Sequence, residues 1–307
     1  MKKILIDNKS LDLFQHLAFE KYCLSEINHD FFLIYLWQSS PSVVIGKHQN
    51  PWIESDPIYL EENSIKLGRR ITGGGAVYHD PGNINISFIS SKKHYSPENN
   101  LEIIRSMLEK QNIQTIIKDF NIFTRDYKIS GSAFFLNKKN AVHHCTLLVR
   151  SDLAKLRKSL AGYENIINGN SVRSNRMPVI NLADVNKNIT PGRVKKLLAS
   201  QILDFFGSDT IFLKNKYMPG TDFDDYYREF VSPRWIYKKN RPFQIILNNK
   251  KWNNARITIN IMENRVEHID ISCFASIDSK ILKKILKLKN RPVKELFQFY
   301  RESPVFK

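Results

Sequence analysis

The sequence predicts an α+β protein in which a mixed sheet with flanking helices is followed by a small second α+β domain. Three observations support this fold class. Hydrophobic residues make up 42% of the 307 residues, with 19 Phe, 12 Tyr and 4 Trp, which is enough to fill a packed interior. Segments with helical and with strand periodicity follow one another along the chain. The chain is also longer than a typical single core, so we expect one large and one smaller domain.

The larger domain is predicted to mix helices and strands throughout. Its predicted helices are 10–27, one between Pro57 and Leu67, 101–111, one with Ser151 as N-cap, and one opened by Thr190-Pro191 that ends at Phe206. Its predicted strands are 31–37, 42–45, two within 76–89, 129–136 and 141–149. The two strands within 76–89 are joined by Asp80-Pro81-Gly82-Asn83, which is typical of a hairpin turn.

The smaller domain is predicted to lie after an irregular segment. Residues 218–241 interrupt the periodic pattern with Pro, Gly, Asp and aromatic residues. The elements predicted beyond it are strands at 243–247, 256–262 and 266–271 and helical runs from Ser279 and Pro292. We therefore place the domain boundary after Arg241, which gives domains at 1–241 and 242–307.

Composition argues against several classes of protein. No apolar run approaches the roughly 20 residues that a membrane-spanning helix needs. Cys23, Cys145 and Cys273 are odd in number and far apart, which favours a reducing compartment over a disulfide framework. Residues 1–10 lack the apolar stretch of a secretory signal and the Arg- and Ser-rich character of a transit peptide. We expect either that the chain stays where it is made or that a presequence has been removed.

The formal net charge of +17 has two interpretations, a polyanionic partner or a solvated lysine-rich surface. Lysine is spread along the whole chain, and no basic stripe with interleaved aromatic residues and no DNA-reading helix is present. We therefore expect neither a nucleic-acid nor a membrane partner. An acidic protein surface is the favoured polyanion.

The stretch from Arg69 to Asp80, RRITGGGAVYHD, carries the most chemical information. Its three consecutive glycines have no Cβ, so a binding site lined by them lets a slender chain or a phosphate contact the backbone. Arg69 and Arg70 can hold a carboxylate or phosphate through paired N–H groups. The alternative is a flexible turn with a surface arginine pair. The spacing matches neither a dinucleotide-binding fingerprint nor a phosphate-loop ATPase motif.

This stretch and later ones resemble the lipoate-protein ligase and lipoyltransferase family. Lys128 to Ala133 is similar to the family's Lys-x-x-Gly-x-Ala motif, and His144 to Leu148 is similar to its His-x-Thr-Leu-Leu strand. The segments 40–52 and 173–175 are most similar to the mitochondrial lipoyltransferase branch of that family. The resemblance extends in order over about residues 10–245.

The resemblance implies the biotin/lipoate protein ligase catalytic-domain fold with a small accessory domain. It also implies an enzyme that transfers a lipoyl group from lipoyl-AMP, or another activated donor, to a protein lysine. Lys128 is then the catalytic residue, because a fixed cation beside the lipoyl carbonyl and the phosphate stabilises the charge that develops there. The residues implied to bind the lipoyl-adenylate are Arg70, Gly73, Gly74, Gly75, Tyr78, Lys128, Gly131 and Thr146. No metal ligand is implied.

Several other side chains in these motifs have two interpretations. His79 can act as a general base or, together with Asp80, brace the loop by hydrogen bonds, and we favour bracing. Cys145 can be a thioester nucleophile, since related octanoyltransferases use a cysteine, but a packed thiol on an apolar strand is favoured. His143 and His144 lack the accompanying Cys/His spacing of a zinc site, which we therefore reject.

The resemblance further implies partners and a compartment. The expected acceptors are acidic lipoyl domains of 2-oxoacid dehydrogenase E2 proteins, with the glycine-cleavage H protein as a candidate donor. The expected compartment is the mitochondrial matrix, or the cytoplasm if the chain is prokaryotic.

Two alternatives to a pure transferase stay open. A full ligase would make the adenylate itself and would need ATP and Mg²⁺, but no separate triphosphate motif decides the matter, and the branch resemblance favours a transferase. Asp119-Phe120-Asn121 stands where family members often carry an Arg, which puts that nucleotide contact in doubt. The alternative of another class is a non-catalytic basic binding module. Loss of Lys128 or of the three glycines would have supported that module, and both are present.

Overall fold

The computed structural model describes residues 1–214, 223–237, 240–248, 255–272 and 277–303. At its centre lies a six-stranded sheet. In spatial order the strands are β10 (Ser132–Leu136), β11 (Asn140–Leu148), β6 (Asn83–Ser91), β2 (Phe31–Trp37), β1 (Lys2–Asp7) and β13 (Ile211–Lys214). Strand β1 pairs in parallel with both of its neighbours, whereas the other pairs are antiparallel. The predicted mixed α+β architecture is therefore confirmed.

Both faces of the central sheet are covered by helices. Every residue of β2, FFLIYLW, is buried for this reason. Its Phe32, Ile34 and Leu36 pack on one face, and Leu33, Tyr35 and Trp37 pack on the other. The first face packs against α4 (Pro97–Glu109) and α7 (Pro191–Phe206), and the second against α1 (Leu13–Glu26), α8 (Phe223–Val231) and α9 (Pro233–Ile236).

Two small sheets flank the centre and carry the sequence motifs. The first consists of β4 (Lys66–Arg69), β3 (Ser42–Ile45) and β5 (Val77–His79), and the second of β7 (Ile116–Lys118), β8 (Asn121–Thr124) and β9 (Tyr127–Ser130). The glycine-rich stretch is the connection from β4 to β5. Both turns of the second sheet use consecutive residues with positive φ, as two-residue hairpin turns do. Its last strand, β9, leads through Gly131 directly into β10.

The C-terminal part forms an antiparallel sheet with two helices. Its elements are β14 (Phe243–Asn248), β15 (Arg256–Met262), β16 (Arg265–Ser272), α10 (Ser279–Leu286) and α11 (Val293–Glu302). The short strand β12 (Ile167–Asn168) pairs with β14, so this sheet takes strands from both sides of Arg241. The remaining helices are α2 (Pro51–Glu54), α3 (Pro57–Glu62), α5 (Leu153–Ser159), α6 (Leu182–Val185) and a 3-10 turn at Lys92–His94.

Helix α2 connects the C-terminal part to the rest of the molecule. Its Trp52 stacks on Phe297 of α11 with ring centroids 4.6 Å apart, and the Nε1 of Trp52 donates to Asn264 Oδ1 at 2.8 Å. The backbone O of Trp52 accepts from the N–H of Tyr163 at 2.8 Å. The two parts of the chain thus share an apolar cluster.

The predicted hairpin at 80–83 is wrong, because β5 and β6 lie in different sheets. Asp80 Oδ1 accepts from the N–H of Gly82 and Oδ2 from the N–H of Asp152, both at 2.8 Å. The carbonyl O of Gly82 accepts from Val149 and Arg150. The turn is therefore fixed to the chain that follows β11, which directs β6 into the central sheet.

Other boundaries also differ from prediction. The short helix predicted between Pro57 and Leu67 lies within those limits as α3, and the chain pairs with β3 from Lys66 onward. The cap of α5 is Asp152, whose carboxylate accepts from the two N–H groups of the first turn, and not Ser151. The irregular segment 218–241 contains α8 and α9, while its residues 218–222 and 238–239 lie outside the described residues. The predicted strand 129–136 is divided at Gly131.

Within the ranges that the structure describes, no helix is long and apolar enough to cross a membrane.

Candidate active site

The loop at residues 72–76, here called the glycine loop, is held by the buried guanidinium of Arg70. Nη2 of Arg70 donates to the carbonyl O of Gly73 at 2.6 Å and of Gly75 at 2.7 Å, and Nη1 donates to the carbonyl O of Val44 at 3.1 Å. Burial lowers the pKa of Arg70 to about 10, so the side chain stays a cation at neutral pH. Arg70 borders the adjacent cavity and shapes the loop from inside.

Arg69 is also committed to backbone oxygens. The acceptors of its guanidinium are the carbonyl O atoms of Gly46, Lys47, Gln49, Trp235 and Ile236 and the side-chain oxygen of Asn240. The predicted use of Arg69 and Arg70 as a pair that holds a carboxylate or phosphate is therefore wrong. Both buried cations find their hydrogen-bond partners within the chain itself.

The three glycines occupy different environments. Gly75 lines the cavity, and a Cβ there would lie 3.0 Å from Ser174 Oγ. Gly74 has a φ of +83°, which favours glycine, and a Cβ there would lie 3.0 Å from Arg70 Nη2. A Cβ on Gly73 would have no heavy atom within 4 Å. The part of the chain that the structure describes thus places Gly75 in the cavity wall and Gly73 and Gly74 in the turn behind it.

Lys128 lies half-buried on β9, with its side chain over Gly131. A Cβ on Gly131 would lie 2.9 Å from both Cε and Nζ of Lys128, so a larger residue there would displace the end of the lysine side chain. The Nζ forms no hydrogen bond or ion pair with any residue of the described ranges. Burial lowers the pKa of Lys128 from its usual 10.5. The ammonium is therefore available to a ligand.

Thr146 on β11 fixes the position of Gly131. The N–H of Thr146 donates to the carbonyl O of Gly131 at 3.0 Å, and Thr146 Oγ1 accepts from the N–H of Gly131 at 3.1 Å. These two bonds join β11 of the central sheet to the point where β9 becomes β10. The Thr146 hydroxyl keeps its own hydrogen for a ligand.

Two cavities meet at Lys128. The first, of about 230 Å³, lies beside the glycine loop, and its wall includes Trp37, Val44, Val77 and Ala133. The second, of about 500 Å³, has a wall that includes Tyr78, Leu148, Leu156, Arg157 and Pro178. Lys128, Gly131 and Thr146 belong to both walls. An elongated ligand can therefore extend from one cavity into the other past the ammonium of Lys128.

Tyr78 borders the second cavity with a buried hydroxyl that has no hydrogen-bond partner among the described residues. Burial, with the negative charge of Asp80, raises the pKa of Tyr78 above its usual 10, so the hydroxyl keeps its hydrogen. Because a buried polar group without a partner is destabilising, a ligand that accepts this hydrogen bond would relieve the penalty.

His79 is buried between Trp37 and Asn83. Its Nδ1 accepts from Asn83 Nδ2 at 3.1 Å, and burial, with the nearby charge of Arg70, lowers the pKa of His79 to about 3. Such a ring is a poor proton acceptor in the neutral range. Asp80 fixes the next turn through its two accepted N–H groups.

A buried chain of polar side chains that was not predicted from the sequence lies behind the glycine loop. Glu20 Oε2 accepts from His144 Nδ1 at 3.1 Å, and His144 Nε2 lies 2.8 Å from Thr72 Oγ1, which accepts from Arg70 Nε at 2.8 Å. Burial would raise the pKa of Glu20, but the charge and hydrogen bonds of His144, with a hydrogen bond from Ser87, outweigh it and lower the pKa. Helix α1 thereby supports the loop.

Cys145 packs in the core on the face of α4 and α7, with a Sγ to His143 Nε2 distance of 3.0 Å. Burial raises the pKa of Cys145 to about 12 and lowers that of His143 to about 3. The thiolate form and the imidazolium form are thus both disfavoured, as a packed thiol requires. No group of three or more His, Cys, Asp or Glu side chains in the described residues is placed to hold a metal ion.

Glu54, which was not predicted as a site residue, forms a hydrogen-bonded pair with Ser174. Ser174 Oγ donates to Glu54 Oε2 and accepts from the N–H of Ala76 at 2.8 Å. Both residues border the second cavity.

The sequence is similar to those of proteins of known class. Residues 12–203 match the model of the lipoyl protein ligase A/B catalytic domain. The chain belongs to this family, as predicted. It is 32% identical over 283 residues to the human protein "Lipoyl amidotransferase LIPT1, mitochondrial", covering 87% of this chain and 75% of that protein. It is 35% identical over 211 residues to lipoate-protein ligase A of Psychrobacter cryohalolentis, covering 68% of this chain and 59% of that one.

Solved structures show the same fold. The structure of P. falciparum LipL1 in complex with lipoate superposes with a TM-score of 0.67 at 23% identity, covering 99% of this chain and 95% of that one. A bipartite lipoate protein ligase of Thermoplasma acidophilum, described with its E2 lipoyl domain, gives a TM-score of 0.64 at 21% identity, covering 78% and 98%. The predicted catalytic-domain fold is confirmed, and so is the predicted class of lipoyl-transferring enzymes.

Proposed function

We propose that this protein transfers a lipoyl group from lipoyl-AMP to the acceptor lysine of a lipoyl domain, with Lys128 as the catalytic residue. The observation that carries the proposal is the unpaired ammonium of Lys128 at the point where two cavities meet. The first cavity takes the lipoyl chain, and the second, with its tyrosine hydroxyl and Arg157, takes the adenylate. The mixed anhydride then lies beside Lys128.

The transfer forms an amide and releases AMP. The neutral amine of the acceptor lysine attacks the acyl carbon, the new C–N bond forms, and the bond from that carbon to the phosphate oxygen breaks. Negative charge grows first on the acyl oxygen and then on the departing phosphate, while the amine loses one proton to the phosphate or to water. A fixed cation within reach of both oxygens stabilises this charge, and one such donor contributes about 3 kcal/mol to lowering a barrier.

The other predicted site residues are assigned supporting roles in this proposal. Gly75 and Gly131 have no side chain that would fill the space for the acyl chain beside Lys128. Thr146 and Tyr78 offer hydroxyl groups to the adenylate. Arg70, Gly73 and Gly74 set the shape of the glycine loop. His79 and Asp80 brace the turn that follows, which agrees with the low pKa of the His79 ring.

A full ATP-dependent ligase is the second candidate, because lipoate-protein ligase A of P. cryohalolentis is among the relatives. In that case ATP and Mg²⁺ would enter the second cavity before the adenylate forms. At the same 87% coverage of this chain, the human amidotransferase is 32% identical and lipoate-protein ligase A of Blochmanniella floridana is 28% identical, which favours a transferase. A non-catalytic binding module is the third, and the free Lys128 ammonium argues against it.

The proposed acceptors are acidic E2 lipoyl domains of 2-oxoacid dehydrogenases, in keeping with the E2 partner of the Thermoplasma ligase. The glycine-cleavage H protein is a proposed donor of the lipoyl group. The proposed compartment is the mitochondrial matrix, in keeping with the human relative, or the cytoplasm if the chain is prokaryotic.

One experiment separates the three candidates. The purified protein is incubated with an acceptor lipoyl domain and either lipoyl-AMP or lipoate with Mg-ATP, and the acceptor is weighed by mass spectrometry. A mass gain with lipoyl-AMP alone supports the transferase, and a gain with both donors supports the ligase. No gain with either donor overturns the enzymatic proposal. An acceptor whose target lysine is replaced by arginine serves as the control.

A further inference from the structure

We propose that Glu54 is a positioning residue for the transfer reaction. It fastens residues 174–180, here called the closing segment, to helix α2 and thereby holds the strand that carries Lys128. This inference rests on the catalytic role proposed for Lys128. It assigns a function to a buried carboxylate that the proposed mechanism itself does not use.

The first link joins Glu54 to the closing segment. Glu54 is 2% exposed, and its two carboxylate oxygens receive the side chain and the backbone of one residue. Ser174 Oγ donates to Oε2, and the N–H of Ser174 donates to Oε1 at 3.3 Å. The same hydroxyl accepts from Ala76 N–H at 2.8 Å and from Gln49 Nε2 at 3.1 Å. One donor and two acceptor positions of Ser174 are therefore all used, which fixes its orientation.

The second link joins the closing segment to Lys128. The N–H of Lys128 donates to the carbonyl O of Pro178 at 2.9 Å, and the carbonyl O of Lys128 accepts from Ile180 N–H at 3.4 Å. Lys128 and Val179 form a parallel bridge between these bonds. The closing segment thus pairs with the backbone of Lys128 itself. A shift of this segment moves the ammonium relative to the anhydride, and catalysis is sensitive to displacements of about 1 Å.

The position of Glu54 is not explained by packing alone. It ends a four-residue helix and borders a cavity assigned to an anionic nucleotide, where an uncommitted carboxylate would repel the ligand. Burial of a carboxylate is unfavourable unless its oxygens are hydrogen-bonded. Burial raises the pKa of Glu54, while Ser174 and the nearby Arg176 and Arg173 act in the opposite direction. The carboxylate therefore occupies this wall as the partner of Ser174.

The geometry gives a physical test that does not depend on activity. Arg173 and Arg176 flank Ser174, and their side chains are 44% and 48% exposed, so trypsin can cleave there when the segment detaches. The protein is treated with a trace of trypsin under native conditions, and the fragments that begin at Ser174 and Met177 are quantified by mass spectrometry. In Glu54→Ala we expect these two cleavages to be about tenfold faster than in wild type, as loss of roughly 1.4 kcal/mol of local stability requires. Cleavage elsewhere should stay unchanged.

Two further variants complete the series. Glu54→Gln keeps one carbonyl oxygen for the Ser174 hydroxyl, so its cleavage rate should lie between wild type and Glu54→Ala. Ser174→Ala removes the same hydrogen bond from the side of the closing segment, so its cleavage rate should match that of Glu54→Ala. The double variant should be cleaved no faster than either single variant. Ser174→Ala also serves if Glu54→Ala fails to fold. Glu302→Ala, which removes an exposed carboxylate on α11, is the matched control and should behave as wild type.

The activity readout uses lipoyl-AMP and an acceptor lipoyl domain. We expect kcat/KM of Glu54→Ala to fall about 30-fold, with partial recovery in Glu54→Gln. Wild-type rates of cleavage and transfer in Glu54→Ala and Ser174→Ala would overturn the positioning role. A purely structural role would lower the melting temperature of Glu54→Ala without faster cleavage at the two arginines, and this too would overturn it. If the wild-type protein transfers no lipoyl group while the cleavage rates follow expectation, Glu54 does hold the closing segment and the proposed function fails.

Discussion

The ring of His79 accepts a hydrogen bond from Asn83 Nδ2 at 3.1 Å, which leaves the ring hydrogen on Nε2 and the ring neutral. Two other histidines are buried in the same neutral state. Burial lowers the pKa of His79 and His143 to about 3 and that of His16 to about 4. All three belong to the N-terminal fold, and each is hydrogen-bonded as a neutral ring.

These histidines predict a steep loss of stability in mild acid. The unfolded chain binds protons at each ring below about pH 6.5, whereas the folded chain resists protonation until about pH 3 to 4. The stability is therefore complete above pH 6.5 and falls as the pH falls. We expect the free energy of unfolding in urea to drop by roughly 1 kcal/mol per pH unit for each histidine between about pH 6 and pH 5. In His143→Asn the slope of the free energy of unfolding against pH should be smaller by the contribution of one histidine. A slope equal to that of wild type would contradict the prediction.

Gly74 and Gly73 form a matched pair for the backbone of the glycine loop. Alanine at position 74 must adopt a φ of +83° and places a Cβ 3.0 Å from the Arg70 guanidinium, whereas alanine at position 73 meets nothing within 4 Å. Gly74→Ala should therefore lower the free energy of unfolding by about 1–2 kcal/mol, and Gly73→Ala by less than about 0.5 kcal/mol. Urea denaturation measures both. Equal losses would show that the positive φ does not limit the loop.

Lys128→Ala should abolish most of the transfer while the fold stays intact. The ammonium has no partner in the described residues, so its loss removes no hydrogen bond or ion pair. We expect the single-turnover rate constant for transfer from lipoyl-AMP to fall by about 10²-fold or more, as for removal of an oxyanion donor. Lys118→Ala, which removes an exposed lysine on β7 at the other edge of the same small sheet, is the control. A Lys128→Ala rate within about threefold of wild type would exclude Lys128 as the catalytic residue.

The +17 net charge predicts that association with an acidic acceptor domain depends on salt. Charges on exposed rims act on the rate of encounter and are screened beyond about 8 Å at physiological ionic strength. We expect kcat/KM for a lipoyl domain to fall steeply with added salt, while the rate at saturating acceptor hardly changes. A small amine acceptor should show a shallow slope. Similar slopes for both acceptors would mean that the charge is only a solvated surface.

Periodicity and capping residues predicted most of the regular elements. Thr190 and Pro191 begin α7 as expected, because Thr190 Oγ1 accepts an N–H of the first turn and proline fits the next position. The residue types at 80–83 fit a hairpin turn, whereas the hydrogen-bond partners of this turn, Asp152 and Arg150, lie about 70 residues away. A pattern confined to neighbours in sequence contains no information on that contact.

In the site, too, features with a local sequence pattern were predictable, whereas contacts between distant residues were not. The motifs around Lys128 and the glycine loop were recognised from the chain, because short runs of glycine and charge leave a local signature. Glu20 and Glu54 were not, although Glu20 stands at the helical spacing of the buried Leu13, Leu17 and Leu24. A carboxylate on an apolar helix face was the available signal for Glu20. For Glu54 the partner, Ser174, comes from a segment without regular periodicity, so no local pattern could identify it.

The shared sheet has a consequence for how the protein unfolds. Strand β12 lies before the predicted boundary and pairs with β14 beyond it, and Trp52 is stacked on Phe297 of the last helix. The N-terminal part therefore cannot melt without uncovering an edge and an apolar face of the C-terminal part, and the reverse holds as well. Calorimetry should then record one endotherm whose van't Hoff and calorimetric enthalpies agree, as for a single cooperative unit and not for two independent modules.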